Sequence, residues 1–140
     1  MSRATTAVVA DTHIVIWYLL NSAKLSQEAT GALERCVAAN EAIRVSAHSL
    51  VELVYAVEQA RNPFTQEDRQ AVLHAFAAED SPFEVVPLTA EIANRVASVP
   101  RTVNADPGDR IVVATAEVLG MPIVSADPKF PSMTELDVIW

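Results

Sequence analysis

Apolar residues along this chain alternate between two spacings. Short, mainly apolar runs at Ala7–Ala10, Ile43–Ser46, Phe83–Pro87 and Pro122–Ala126, with a further one at Val138–Trp140, have strand length. Longer stretches with helical spacing lie between them. Thr12–Leu20 continues directly from the first run, and Leu25, Ala29, Ala32, Leu33, Cys36 and Val37 make one apolar stripe. Gly31 inside that stripe costs about 1 kcal/mol relative to alanine, which packing overrides. A helix is expected from Ala47 to Ala60, broken by Asn62-Pro63, and Thr65-Gln66-Glu67-Asp68 starts the next with a capping-box pattern. Thr89 caps a helix through Ser98, and residues 100–104 read as loop. Asp106-Pro107 then opens a helix that Gly120 closes just ahead of Pro122.

Strand followed by helix, several times over, predicts a parallel sheet with helices on its faces. Strands that are apolar runs rather than alternating patterns suit a sheet covered on both sides. The expected fold class is therefore α/β, a three-layer α/β/α sandwich around a short-stranded, mainly parallel central sheet. At 140 residues, the span 1–140 reads as a single domain. No P-loop, dinucleotide-binding glycine motif or nucleophile elbow is present, which removes three common α/β chemistries.

Composition narrows the picture further. Hydrophobic residues make up 51% and charged ones 20%, which excludes intrinsic disorder. The net charge of −8 argues against a protein that coats nucleic acid by bulk charge. One cysteine, Cys36, rules out an intramolecular disulfide and a Cys-based zinc cage, and its place in the stripe marks it as a small buried residue. Met1–Thr6 shows no apolar leader, and the longest apolar run, Ile14–Leu20, falls far short of the roughly 20 residues that span a bilayer. A soluble, cytoplasmic protein without membrane contact is expected.

Open parallel sheets place their sites beyond the carboxyl ends of the strands. Asp11 ends the first strand, Asp127 ends the fourth, Glu52 lies on the second turn of the helix after Ser46, and Asp109 lies in the first turn of the helix feeding the fourth strand. Each has a local explanation. Asp11 and Asp127 suit helix or turn caps, Ser49 and Glu52 fit a capping box, and Asp106-Pro107-Gly108-Asp109 fits N-cap to N3 of one helix. Four caps need not share one sheet edge, however. Glu52 and Asp109 also stand in apolar company, where a carboxylate is costly unless paired or metal-bound. Such a cluster repels itself unless a cation neutralises it, and an all-oxygen set suits Mg²⁺ or Mn²⁺. The zinc alternative, His48 with Glu52 four residues on, lacks a third ligand, since neither His13 nor His74 supplies an obvious one.

Val9-Ala10-Asp11-Thr12-His13 with Trp17 resembles the opening of PIN-domain proteins. Ser46-Ala47-His48-Ser49-Leu50-Val51-Glu52-Leu53 matches their second motif. The block Asp106-Pro107-Gly108-Asp109-Arg110-Ile111-Val112-Val113-Ala114-Thr115-Ala116, followed by Gly120-Met121-Pro122-Ile123-Val124-Ser125-Ala126-Asp127, is similar to the VapC toxins of bacterial toxin–antitoxin pairs. The ordered set covers nearly the whole chain. The resemblance implies a Mg²⁺- or Mn²⁺-dependent endoribonuclease whose acidic quartet is Asp11, Glu52, Asp109 and Asp127, acting both as metal ligands and as catalytic groups. It implies an RNA substrate, a cognate antitoxin reaching the carboxylates with Arg or Lys, and a homodimer.

Around the quartet, Thr12, Ser46, Thr115 and Ser125 are expected to support ligands through hydroxyl hydrogen bonds, Asp106 to cap its helix or support the site, and Arg110 to pair with Asp106 in preference to orienting a site carboxylate. Two other readings share these features. One is a PIN nuclease in RNA processing outside a toxin pair; the other is a non-catalytic, Mg²⁺-binding signalling or binding domain. A receiver domain is disfavoured because Asp11 stands alone and the middle strands end at Ser46 and Pro87 without an aspartate.

Overall fold

β-Branched and apolar runs that cannot face water build the centre of this protein, seen here in a computed structural model describing residues 6–59 and 63–140. Five strands join one parallel sheet: β1 (Val8–Ala10), β2 (Ile43–Ser46), β3 (Phe83–Val86), β4 (Ile123–Val124) and β5 (Val138–Ile139). Their order is β3-β2-β1-β4-β5, with Val8 opposite Ile43 and Val9 opposite Ile123. The chain winds outward from β1 through β2 to β3, then crosses back to place β4 on the other side of β1. That reversal opens a crevice at the carboxyl ends of β1 and β4, where parallel sheets bind ligands.

Among the described residues six α-helices flank the sheet: α1 (Thr12–Leu19), α2 (Gln27–Ala38), α3 (Ala47–Glu58), α4 (Gln66–Ala77), α5 (Ala90–Arg95) and α6 (Pro107–Leu119). Alternate strand residues feed two cores. Val8, Ala10, Ile43 and Val45 pack with Ile14, Leu33, Leu53 and Val72 of α1 to α4. Val9 and Ile123 point the other way, against Ile92 of α5 and Val112, Val113 and Ala116 of α6. The three-layer expectation holds, with helices on both sheet faces.

Element ends differ from the sequence reading in small, physical ways. The Thr89 helix is α-helical only to Arg95 and tightens into a 3-10 turn, Val96–Ser98, where Val99 turns into the core. β4 is assigned over two residues rather than five; the Ser125 N–H still bonds to the Ile139 carbonyl at 3.2 Å, while its hydroxyl turns to Asp11. The helix after Ser46 ends at Glu58; Ala60 and Asn62, assigned to its end and its break, lie outside the described residues, as do Met1–Thr5. The capping box at Thr65 and Asp68 is complete, and Gly120 closes α6 at φ 69° in the left-handed region that glycine adopts without strain.

Candidate active site

Asp11 leaves β1 in extended conformation and becomes the N-cap of α1, its Oδ1 accepting from Thr12 N at 2.8 Å. Its Oδ2 accepts from the Ser125 hydroxyl at 3.0 Å, and Ser125 Oγ in turn accepts from Asp127 N at 3.1 Å. One serine thus joins the ends of β1 and β4. Asp11 is only 8% exposed, and burial pushes its carboxyl up from the ordinary value. The Ser125 and Thr12 hydrogen bonds and His13 oppose that shift, while the negative charge of Glu52 adds to it.

Glu52 approaches from α3. The Thr12 hydroxyl lies 2.7 Å from Glu52 Oε1 and 2.7 Å from the buried Ser49 hydroxyl, so the three form one hydrogen-bonded chain. This replaces the capping box proposed for Ser49 and Glu52. Ser46 caps α3 instead, accepting from His48 N at 3.1 Å. Ser49 and Glu52, a turn further on, are free to reach across to α1.

Asp109 is at N3 of α6. Asp106 is the N-cap, with Oδ1 accepting from Asp109 N at 2.9 Å, and Pro107 opens the helix where its missing N–H costs nothing. Burial pushes the Asp109 carboxyl up, and the negative charges of Asp106, Asp11 and Asp127 push it further, against a hydrogen bond from Asn104 Nδ2 at 2.9 Å. Asp127, half-buried, turns its Oδ1 to Lys129 N at 2.9 Å. Glu52 is near enough to Asp11, and Asp11 and Asp127 near enough to Asp109, for their negative charge to raise the neighbouring carboxyl, and Ser125 ties Asp11 to Asp127 at the crevice between β1 and β4.

Among the described residues none of the four enters a salt bridge; the ion pairs that form involve Glu41, Glu84 and Glu117. Nor do any three His, Cys, Asp or Glu side chains among them stand in a ready-made metal cage. The acids converge, but each is tethered by its own local hydrogen bonds. Fit to a cation therefore rests on the donor chemistry, four carboxylates with two desolvated, and a hard divalent ion matches it.

The supporting hydroxyls divide. Thr12 and Ser125 bond directly to the acids. Ser46 does not, since its oxygen caps α3. Thr115 does not either, because its hydroxyl donates to the Ile111 carbonyl at 2.7 Å within α6. Arg110 departs from its expected pairing with Asp106: Nη2 donates to the Val96 and Val99 carbonyls at 3.1 and 3.0 Å, tying off the 3-10 turn.

Three participants escaped the sequence reading. Ser49 fits a capping box by its spacing, and Asn104 falls in the loop 100–104, which carries no motif. Gly108 read only as a helix position, yet a Cβ there would stand 2.9 Å from His48 Nε2 and 3.2 Å from Glu52 Oε2. Its bare Cα lets α6 approach α3. From Thr12 and Glu52 a groove of about 830 Å³ runs outward past His13, Trp17, Tyr55 and Phe64.

The PIN-domain family model matches residues 8–136. This chain belongs to the PIN-domain family. It is 28% identical over 131 residues to ribonuclease VapC22 of Mycobacterium tuberculosis, spanning 91% of this chain and 92% of that protein. Its fold is similar to a chain of the VapBC2 complex of Rickettsia felis, solved bound to a DNA fragment from its promoter, with TM-score 0.68, 19% identity, and 94% and 96% of the two chains covered. VapBC-1 of nontypeable Haemophilus influenzae gives 0.65 at 16% identity and the same coverage. VapBC-5 of Mycobacterium tuberculosis, a toxin–antitoxin system, gives 0.61 at 18%, with 96% of each chain covered. At such identities the likeness speaks to the fold. In this PIN domain Asp11 and Asp127 follow the carboxyl ends of β1 and β4, where parallel sheets carry their sites, and Glu52 and Asp109 stand on α3 and α6.

Proposed function

We propose that this PIN domain is a divalent-metal-dependent endoribonuclease and the VapC-type toxin of a toxin–antitoxin pair. The observation that carries the reading is the approach of Asp11, Glu52, Asp109 and Asp127 to one crevice, two of them desolvated and none in a salt bridge among the described residues. Leaving carboxylates in that state costs stability, which function repays. The likeness to ribonuclease VapC22 and to VapBC complexes supports the choice of RNA and of a toxin pair.

Asp11, Asp109 and Asp127 would hold Mg²⁺ or Mn²⁺, with Glu52 completing the set. A divalent ion held there would supply charge to offset the scissile phosphate and to acidify a bound water. The protein does the positioning. Thr12 N and Ser125 Oγ hold both oxygens of Asp11 in place, and Asn104 does the same for Asp109. Alternatively Glu52, oriented by Thr12, would take the proton of the attacking water as its oxygen bonds to phosphorus and the bond to the ribose 3′-oxygen breaks, that oxygen leaving with the electron pair and gaining a proton from solvent. The groove past Trp17 and Tyr55 is suited to an antitoxin segment whose Arg or Lys reaches the carboxylates, which would silence the site in the cytoplasm. A homodimer is the proposed assembly.

The deciding experiment incubates purified protein with mixed RNA and Mg²⁺, Mn²⁺ or EDTA, beside Asp109→Asn. Wild type with either ion should cut, while EDTA and the variant should each abolish cutting. Cleavage that survives EDTA would overturn the metal dependence, and wild-type rates from Asp109→Asn would overturn the site. Expression without a partner should arrest growth for wild type only; growth unaffected by an active nuclease would favour an RNA-processing role.

A further inference from the structure

Asn104 is 6% exposed, in the loop ahead of α6. Its amide is fully engaged. Oδ1 accepts from Asp106 N at 3.0 Å, and Nδ2 donates to Asp109 Oδ2 at 2.9 Å and to Met133 Sδ at 3.6 Å. The backbone N–H of Asp106 can only donate, so it fixes which end of the amide is oxygen and turns the NH₂ group to Asp109. Met133 closes the turn Phe130–Ser132, whose first bond runs from Phe130 N back to the Asp127 carbonyl at 3.2 Å. One side chain therefore touches the loop before α6, the first turn of α6 and the segment leading from Asp127.

A loop cap would need only the oxygen. Here the donor end faces a carboxylate that burial and three neighbouring acids both disfavour. The loop itself is anchored at its start, with Asn104 N bonded to the Pro100 carbonyl at 3.3 Å and Arg110 gripping Val96 and Val99. Asn104 consequently has little freedom to swing away.

We propose that Asn104 is a positioning residue for metal-dependent cleavage: its amide fixes the orientation of Asp109 and ties that carboxylate to the segment carrying Asp127, so that the two present to one cation together. This rests on the nuclease reading above. Asn104→Ser separates the roles, because its hydroxyl can still accept from Asp106 N but is too short to reach Asp109. Asn104→Leu removes both bonds.

Mn²⁺ binding to metal-free protein, followed by the free-ion electron paramagnetic resonance signal, is the primary readout. Asn104→Ser should weaken binding by about tenfold or more, the usual scale for losing a group that orients a ligand. In Mn²⁺-supported cleavage of a short RNA, kcat should fall while KM stays within about twofold. Asn104→Ser with wild-type Mn²⁺ affinity and kcat would overturn the proposal, whatever its Tm, by leaving Asn104 a loop cap. Asn104→Leu, where it folds, should match or exceed the loss; a folded Leu variant with wild-type Mn²⁺ affinity would also overturn it. Asp109→Asn is the benchmark. If that variant too binds Mn²⁺ like wild type, the metal site itself is misassigned; if it alone loses binding, only the role of Asn104 fails.

Discussion

Asp109 shows how one residue can be read correctly by type and incompletely by environment. A carboxyl raised above its ordinary value binds its proton more tightly in the folded chain than in the unfolded one. Ionising it therefore costs stability, and the cost appears as pH rises from the ordinary carboxylate value through the raised one. Asp109→Asn keeps an oxygen for Asn104 and removes the charge. In metal-free protein at neutral pH it should raise Tm by the few degrees that about 1 kcal/mol represents in a chain this size, even as cleavage is lost. At acid pH, where the wild-type group is protonated, the gain should vanish. Thermal scans of both proteins across pH test this, and a variant no more stable than wild type at pH 7 would show that burial is not the dominant influence on Asp109. The four candidate acids were legible in the sequence because Asp11 and Asp127 follow strands, Asp109 opens a helix, and Glu52 is a lone carboxylate in an apolar helix stretch. Asn104 was not, because its partners Asp109 and Met133 are set by how a loop folds back on α6 and the chain end.

At the scale of elements, caps were the most readable feature. Asp11, Thr65, Thr89 and Asp106 all cap the helices they precede, since a short acceptor beside orphan N–H groups is a local matter. Ser49 and Glu52 matched the same pattern and did something else. Once Ser46 had capped α3, their partner became Thr12, forty residues from Glu52, and no local spacing records that contact. The approach of α6 to α3 at Gly108 is another contact of this kind. Gly108→Ala would press on the tips of His48 and Glu52, both of which can turn aside. The fold should lose only about 1–2 kcal/mol by urea unfolding. Displacing Glu52 should nonetheless lower the cleavage rate by about tenfold or more. A variant cutting at the wild-type rate would show that the close approach does not set the Glu52 geometry.

At the scale of the whole molecule, an acidic chain has to be reconciled with the RNA substrate proposed for it. Four of the eight excess negative charges would be neutralised on binding divalent ions, halving the −8. The rest means that global charge repels RNA, so attraction falls to the ions and to local cations, eight of the ten basic residues being Arg. Binding of a non-cleavable RNA analogue should therefore be weak, require Mg²⁺ or Mn²⁺, and weaken steeply between low and physiological salt. Tight, metal-independent binding would point to a basic surface that the charge distribution does not suggest.

What the sequence determined by itself was the layered α/β class and the helix starts, and it offered the candidate acids, because periodicity, caps and strand ends are local consequences of side-chain chemistry. Only the tertiary structure decided the strand order β3-β2-β1-β4-β5, and with it the crevice between β1 and β4 that brings Asp11 beside Ser125 and Asp127. It also decided which hydroxyls serve the acids: Thr12 and Ser125 do, while Ser46 and Thr115 bond to backbone. The reason is physical. A hydrogen bond is assigned by distance across packed elements, and residues far apart in the chain meet only where the sheet and its helices bury their apolar faces.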